Sequence, residues 1–313
     1  MLISIIICTR DRADDLHKTL CSMATVKIPK NCTCELLVVD NASQDDTPAV
    51  ISQAKISNMT LRLLSESNPG QSNARNLGLV EARGEIIIFT DDDIRFTPEW
   101  LEEMSLPLLR READATTGTM LLAPNLERQW MKPMHRMWLA APPKGFALFA
   151  GTLIGANMGF HRKVLDRVPG FDTELGPGAM GFGDDTLFGH QLGEAGYLIT
   201  TISLRSEHHF RPERLARESF HNHAIKLGKS AAYMAHHWEH EKTQMPQLNL
   251  IRKMAQLAVW RRTHWAEVQR AEGMHTTEMH HLRSLHLFGQ FLIERRRPRN
   301  YERHGLVKKI SVA

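Results

Sequence analysis

Three consecutive carboxylates, Asp91-Asp92-Asp93, follow the apolar run Glu85–Thr90. Adjacent negative charges repel, so grouping them costs stability unless a cation offsets them. A hard divalent ion with oxygen ligands is the natural compensator, and Mg2+ typically uses one or two carboxylates plus substrate phosphates. The plainer alternative is an acidic turn in which one Asp caps a helix beginning near Pro98. A second acidic pair, Asp184-Asp185, precedes Thr186 at the end of a glycine-rich stretch from Gly176 to Gly183. Asp is favoured as a helix cap and its charge suits the helix dipole. Beside an open glycine loop, a carboxylate can also act as general base toward a substrate hydroxyl. The two roles are compatible if Asp184 caps and Asp185 acts. His208 and His209 come later. A neutral imidazole there is a candidate third metal ligand from a distant segment, although a lone histidine is more often structural. Arg75, just after Asn68-Pro69-Gly70, stands at a helix start, where anions are favoured. It either contacts a diphosphate, holds an acidic residue of the site, or forms a salt bridge at the helix start.

Holding these groups together requires a scaffold whose loops converge. Apolar runs at Leu2–Cys8, Glu35–Asp40, Leu61–Leu64 and Glu85–Thr90 read as strands. Helical patterns at Asp14–Met23, Thr47–Ser57 and Ser72–Ala82 alternate with them. Continuous apolar strands alternating with helices predict an α/β domain with a mostly parallel sheet covered on both faces. Polar residues follow each strand: Thr9-Arg10, Asn41 and Asp91 onward. Ligands in open α/β sheets bind beyond the carboxyl ends of strands, so the site belongs there. Trp130–Gly151 reads as an irregular stretch over a cleft, with Trp130, Trp138 and Phe146 as candidate acceptor contacts. Gly155–Gly159 leads into a helix over His161–Arg167. A second helix runs from Asp184 to about Ala195, and Tyr197–Ile202 is a strand. From Pro212 to Arg297 the pattern is helical, with Phe220, Tyr233 and Trp238 as core residues.

Taken in order, these segments resemble family 2 glycosyltransferases of the GT-A fold. The matching pieces are Ile5-Ile6-Ile7-Cys8-Thr9-Arg10, Val38-Val39-Asp40-Asn41-Ala42-Ser43, Ala74-Arg75-Asn76-Leu77-Gly78, Phe89-Thr90-Asp91-Asp92-Asp93, Gly155-Ala156-Asn157-Met158-Gly159-Phe160, Gly183-Asp184-Asp185-Thr186 and His208. Together they cover residues 1–215. The resemblance implies a nucleotide-sugar donor, Mn2+ or Mg2+, and inverting transfer to an acceptor hydroxyl on a glycan, a lipid-linked sugar or a small molecule. It places Thr9, Arg10 and Asp40 around the nucleoside, with Asp40 near the base, and Arg75 beside the nucleotide. Asp91 and Asp92 fall near the ribose and the metal, with Asp93 as the main metal ligand. His208 reaches the metal or diphosphate from the far side. Asp185 takes the position of the catalytic base. The family usually has Glu-Asp, so Asp184 is a shorter residue where an acceptor contact would be. The implied organisation is a catalytic domain over 1–211 and a helical extension over 212–313. A catalytically inactive binding protein of the same fold and a nucleotidyltransferase are the competing classes.

The 313 residues include 42% hydrophobic ones, enough for a sizeable core, and the formal net charge is only +4. The cations gather late, at Arg261-Arg262, Arg295-Arg296-Arg297 and Lys308-Lys309, suggesting a basic surface for an anionic partner or a solvated face. Ile251–Arg262 mixes apolar and basic residues. That suits a peripheral membrane contact, intramolecular packing or a homodimer. No recognised nucleic-acid-binding motif is present. Cys8, Cys21, Cys32 and Cys34 lack a zinc pattern and read as reduced thiols. No stretch approaches the roughly 18 apolar residues of a membrane span, and Met1–Ile7 is too short for a signal segment. The expectation is a cytoplasmic protein, peripheral at most at the inner face of the membrane.

Overall fold

The computed structural model describes residues 1–143, 148 and 151–309. Phe146 therefore lies outside the described residues. Four parallel strands form one half of the sheet: β1 (Leu2–Thr9), β2 (Thr33–Asp40), β3 (Thr60–Ser65) and β4 (Ile86–Thr90). Their alternating side chains divide the core. Ile3, Ile5 and Ile7 pack with Leu36, Val38, Ile86 and Ile88 on one face, whereas Ile6 joins Leu37, Val39, Ile87 and Phe89 on the other. Burial on both faces is why these strands read as continuous apolar runs.

Helix α1 (Ala13–Met23), α2 (Thr47–Gln53) and α4 (Trp100–Leu109) cover the first face. In α1, Leu16, Thr19, Leu20 and Met23 are buried, the one-sided spacing of a helix against a core. Helix α3 (Gln71–Glu81) and α6 (Asp184–Glu194) cover the second. No Asp of the triplet caps α4; its cap position is Glu99.

The sheet as a whole stays mostly parallel, but past β4 it admits two reversed strands. Its order is β3-β2-β1-β4-β7-β6-β8-β5. The later strands are β5 (Ile94–Arg95), β6 (Ala115–Leu122), β7 (Asn157–His161) and β8 (Ile199–His208). β7 runs antiparallel to both β4 and β6, and β5 is antiparallel to β8, while β6 and β8 are parallel. The result is a mixed sheet. Gly155–Gly159 leads into β7 rather than a helix, and the predicted helix over His161–Arg167 is a short 3-10 turn at Arg162–Asp166. β8 continues well past Ile202 because pairing with β6 extends to His208. The stretch read as irregular contains helix α5 (Pro133–Trp138).

The C-terminal portion is α7 (Arg217–His237), α8 (Pro246–Thr263), α9 (Trp265–Arg270) and α10 (Thr276–Glu294). Phe220, Tyr233 and Trp238 are buried in it as expected. The four cysteines are free thiols. Burial pushes Cys8 and Cys34 up to about 12, so neither offers a thiolate nucleophile near neutral pH.

Helix α4 and β7 share one buried support. Trp100 Nε1 donates to Asn157 Oδ1 at 2.8 Å, and both side chains are fully buried. Replacing Asn157 by Leu keeps the branched shape but strands the indole N–H. The expected loss of stability is about 1–3 kcal/mol, read from the urea midpoint of the purified variant.

Candidate functional site

The fold delivers a histidine to the triplet. β5 follows Asp93 directly and sets Ile94 opposite His208, while the His209 N–H donates to the Asp93 carbonyl at 2.7 Å. His208 Nδ1 lies 2.9 Å from the Leu139 carbonyl. A carbonyl only accepts, so Nδ1 carries a hydrogen and Nε2 is the nitrogen left to face the triplet. That nitrogen faces Asp93 Oδ1 at 3.0 Å, and both atoms are buried without a hydrogen-bond partner. Two electron-rich atoms so close require a cation or a proton between them. Ligand atoms of Asp91, Asp93 and His208 all lie within 4.8 Å of one another. Two carboxylates and an imidazole fit a divalent metal ion. His209 turns away to Glu207, 2.8 Å distant.

Two arginines supply positive charge at the same place. Arg12 Nη1 lies 2.8 Å from Asp93 Oδ2 and 3.4 Å from Asp92 Oδ1, and Arg214 Nη1 lies 3.7 Å from Asp93 Oδ2. Burial alone would raise the Asp93 carboxyl, but a proton held between it and His208 Nε2, together with Arg12 and Arg214, outweighs burial and holds the group far below the usual carboxylate range. Its neighbours move the other way. Burial and the Asp93 charge raise Asp91 despite Arg75, and burial lifts Asp92 to about 7 despite Arg12. The triplet is thus short of positive charge. Neither arginine was singled out from sequence. Arg12 stands in the polar stretch after β1, a weak signal. Arg214 sits in the 3-10 turn Pro212–Leu215, whose partner lies in a remote segment.

The second acidic pair opens α6, but Gly183, with φ 91°, takes its cap position. Asp184 therefore does not cap, contrary to the sequence reading. Its Oδ2 accepts from Arg75 Nη1 at 2.5 Å and from Ser72 Oγ at 3.4 Å. The Arg75 guanidinium also rests on the rings of Phe171 and Phe89, 5.4 and 6.0 Å from their centroids. Of the alternatives left open for Arg75, the structure shows it holding an acidic residue. Asp185 is half-buried and accepts from the Gly155 N–H at 2.8 Å and its neighbour Thr186 N–H at 2.7 Å. A Cβ at Gly155 would stand 2.4 Å from Arg75 Nη2 and 2.9 Å from Asp185 Oδ2, so a side chain here would displace the guanidinium or the carboxylate. Burial, then the Asp184 charge, push Asp185 up to about 6, with Arg75 and the two N–H groups opposing.

The triplet, Asp184, Asp185 and His208 line one cleft of about 1040 Å3. Thr9, Arg10, Arg12 and Arg75 also line it. Thr9 Oγ1 donates to Asp92 Oδ2 at 2.7 Å. Arg10 is exposed beside Asp11. Asp40 is buried and accepts from the Ser43 N–H at 3.2 Å, closing the turn after β2; its neighbour Asn41 reaches the cleft wall. Trp138 lines the cleft and stacks on His223, but Trp130 packs edge-on against His135 and Phe220 in a separate apolar cluster. The glycine stretch also comes close to the chain's own backbone: a Cβ at Gly178 would meet the Gly70 Cα at 2.8 Å.

The C-terminal cations are partly consumed inside the molecule. Lys308 Nζ donates to Asp172 Oδ1 at 2.7 Å and Glu174 Oε1 at 2.8 Å, and Arg297 pairs with Glu174. Arg261 pairs with Glu278 and Lys309 with Glu302. The expected basic tail surface is correspondingly smaller, and these contacts anchor the segment that leads into the glycine stretch.

The sequence profile of glycosyl transferase family 2 matches residues 4–168, the span that carries the triplet and β7. The chain belongs to this family. Among curated members, the glycosyltransferase AglE of Haloferax volcanii is 35% identical over 101 residues, 32% of this chain and 33% of AglE. The succinoglycan biosynthesis protein ExoO of Rhizobium meliloti is 36% identical over 96 residues, 30% of this chain and 25% of ExoO. The chain thus spans a third or less of these two relatives. The mannosyltransferase PcManGT of Pyrobaculum calidifontis, solved with GDP-Man and Mn2+, superposes with a TM-score of 0.62 at 18% identity, covering 94% of this chain and 86% of that one. Residues 1–349 of S. aureus TarS give 0.52 at 21% identity, covering 72% and 65%. These likenesses establish the GT-A fold for this family 2 chain.

The Arg75–Asp184 pair, with both side chains 4% exposed, gives a direct test of the site's internal support. Arg75→Met leaves a buried carboxylate without its cation, at an expected cost of about 3–5 kcal/mol. Adding Asp184→Asn should recover part of that loss. Urea denaturation of the two variants and the double variant measures both quantities.

Proposed function

We propose that this family 2 protein is a metal-dependent, inverting glycosyltransferase that moves a sugar from a nucleotide-sugar donor to an acceptor hydroxyl. The observation that carries the reading is the single cleft. It joins an Asp-Asp-His donor set, short of positive charge, to a carboxylate whose affinity for a proton is raised. Asp93, Asp91 and His208 would hold Mn2+ or Mg2+, with the imidazole favouring Mn2+. A bound ion would neutralise the charge that develops on the departing diphosphate.

The chain's own groups do the rest. Thr9, Arg10 and Asp92 would bound the nucleoside end of the cleft, where Asn41 rather than Asp40 reaches the wall. Arg12 and Arg214, which now face Asp93, would supply positive charge to the diphosphate beside the metal. Arg75 holds Asp184, which places Asp185 through the start of α6. Asp185 takes the proton of the acceptor hydroxyl. The oxygen then bonds to the anomeric carbon from the face opposite the diphosphate, the bond to the nucleoside diphosphate breaks, and the configuration inverts. Trp138 offers an aromatic face to the acceptor, which we assign to a glycan, a lipid-linked sugar or a small molecule. We further propose a division into a catalytic domain, 1–211, and a helical extension, 212–313, supported by the end of the sheet at His208. On this reading the protein works in the cytoplasm, without nucleic acid, as a monomer or a homodimer.

Asp185→Asn should lower turnover by about 10²–10⁴-fold, the usual worth of a general base, while calorimetry still detects donor binding. Turnover equal to wild type would end the assignment. Release of a nucleoside diphosphate, and not pyrophosphate, separates this activity from nucleotidyl transfer.

Asp185 works only when ionised. Its raised pKa of about 6 therefore moves the acidic limb of the rate profile up from the ordinary Asp range near ~3.9. Activity should fall below about pH 6 and level off above it, as measured by initial rates at saturating donor. Asp93→Ala should abolish the Mn2+-dependent part of donor binding in the same calorimeter.

A further inference from the structure

Helix α8 has two apolar faces. One, with Leu257 buried, turns inward. The other points outward: Leu248, Ile251, Met254 and Val259 are 58%, 62%, 55% and 63% exposed. At 3.6 residues per turn, these four share an arc with exposed Ala255 and Ala258, opposite Leu257. Trp265, 64% exposed, follows at the end of the helix. A contiguous apolar patch left on a surface marks a place of interaction.

Charge identifies the partner. From Met245 to Ala266 the chain has no Asp or Glu. Arg252 and Arg262 are exposed on the same arc, while Arg261 is held by Glu278. A second copy fits this face poorly. Two α8 helices paired antiparallel about Leu257 would set Arg252 against Arg262 of the other copy, and parallel pairing would set each arginine against itself. No acidic residue on the face offsets either repulsion. A layer of anionic headgroups over an apolar interior complements both features. No described helix is long and apolar enough to cross a membrane, so such contact is at the surface.

We propose that α8 lies in the plane of an anionic bilayer, with Leu248, Ile251, Met254 and Val259 below the headgroups and Arg252 and Arg262 on lipid phosphates. Trp265 marks the boundary level, where its amphipathic ring belongs. The site is distinct from the cleft; it rests on the proposed sugar transfer only for its consequence, an acceptor met at the membrane surface.

The test is co-sedimentation of the full chain with phosphatidylcholine vesicles, with and without phosphatidylglycerol, in the absence of donor and acceptor. The wild type should pellet with the anionic vesicles and stay in solution with the neutral ones. Arg252→Gln with Arg262→Gln should weaken partition about 25-fold, at about fivefold for each charge. Ile251→Glu with Val259→Glu should abolish it while leaving turnover on a water-soluble acceptor intact. Both pairs are exposed, and circular dichroism confirms their fold. A wild type that pellets with neither vesicle overturns the proposal, as does an Ile251→Glu/Val259→Glu protein that pellets like wild type. A lipid-free dimer dissociated by those two glutamates would assign the face to self-association instead. Because no turnover is measured in the pelleting assay, failure of the catalytic reading leaves this result interpretable, and the reverse also holds.

Discussion

Five aspartates crowd the walls of one cleft, and in a region shielded from water they cannot all stay ionised without positive charge close by. The protein supplies that charge unevenly. Asp184 receives a full guanidinium from Arg75, buried against two phenylalanine rings. Asp93 receives Arg12 and, at longer range, Arg214. Asp91, Asp92 and Asp185 are left under-compensated, and their proton affinities rise. This imbalance separates the roles. On the proposed function, Asp184 is the structural support, the triplet takes the cation and Asp185 takes the proton.

The sheet makes the imbalance geometrically possible. Parallel strands alone would send each following segment away over a helix. Instead β5 turns back immediately after Asp93 and pairs with the far end of β8, so a residue more than a hundred positions later arrives beside the triplet. The antiparallel β7 does the same for the other carboxylates. Its approach through Gly155 brings a backbone N–H to Asp185. The price of this arrangement is close backbone packing, as at Gly178, where a Cβ would meet the Gly70 backbone.

Legibility from sequence follows the same division. β1, β2 and β4 are buried on both faces and so announce themselves as unbroken apolar runs, and the one-sided spacing of Leu16, Leu20 and Met23 marks α1. β6 escapes notice because its Ala-Thr-Thr-Gly-Thr start carries little apolar signal, although the strand is buried between neighbours. β7 is only five residues long with a central glycine, which local pattern does not distinguish from a turn into a helix. At the cleft, the acidic groups are visible because like charges in sequence demand an explanation. Of their partners only Arg75 stands out, at its helix start, since Arg12 and Arg214 meet the acidic groups only after folding. The cap assigned to Asp184 fails for a related reason: a glycine with positive φ can end the preceding loop by itself, freeing the carboxylate for a partner from α3.

The C-terminal helices complete the cleft rather than merely following it. His223 and Met234 on α7 share its lining with Asp185, and Tyr233, Tyr301 and Lys308 converge on Asp172 just before the glycine stretch. Hydroxyls and an ammonium gathered on one buried carboxylate form a connected polar network, and satisfied networks of this kind rigidify what they join. The loop that presents the second acidic pair is therefore fixed at one end by Arg75 and at the other by the chain's last described residues. With α10 joining α8 to that same anchor, a surface that orients α8 would also orient the mouth of the cleft, because the segments between them are packed helices and not a free linker.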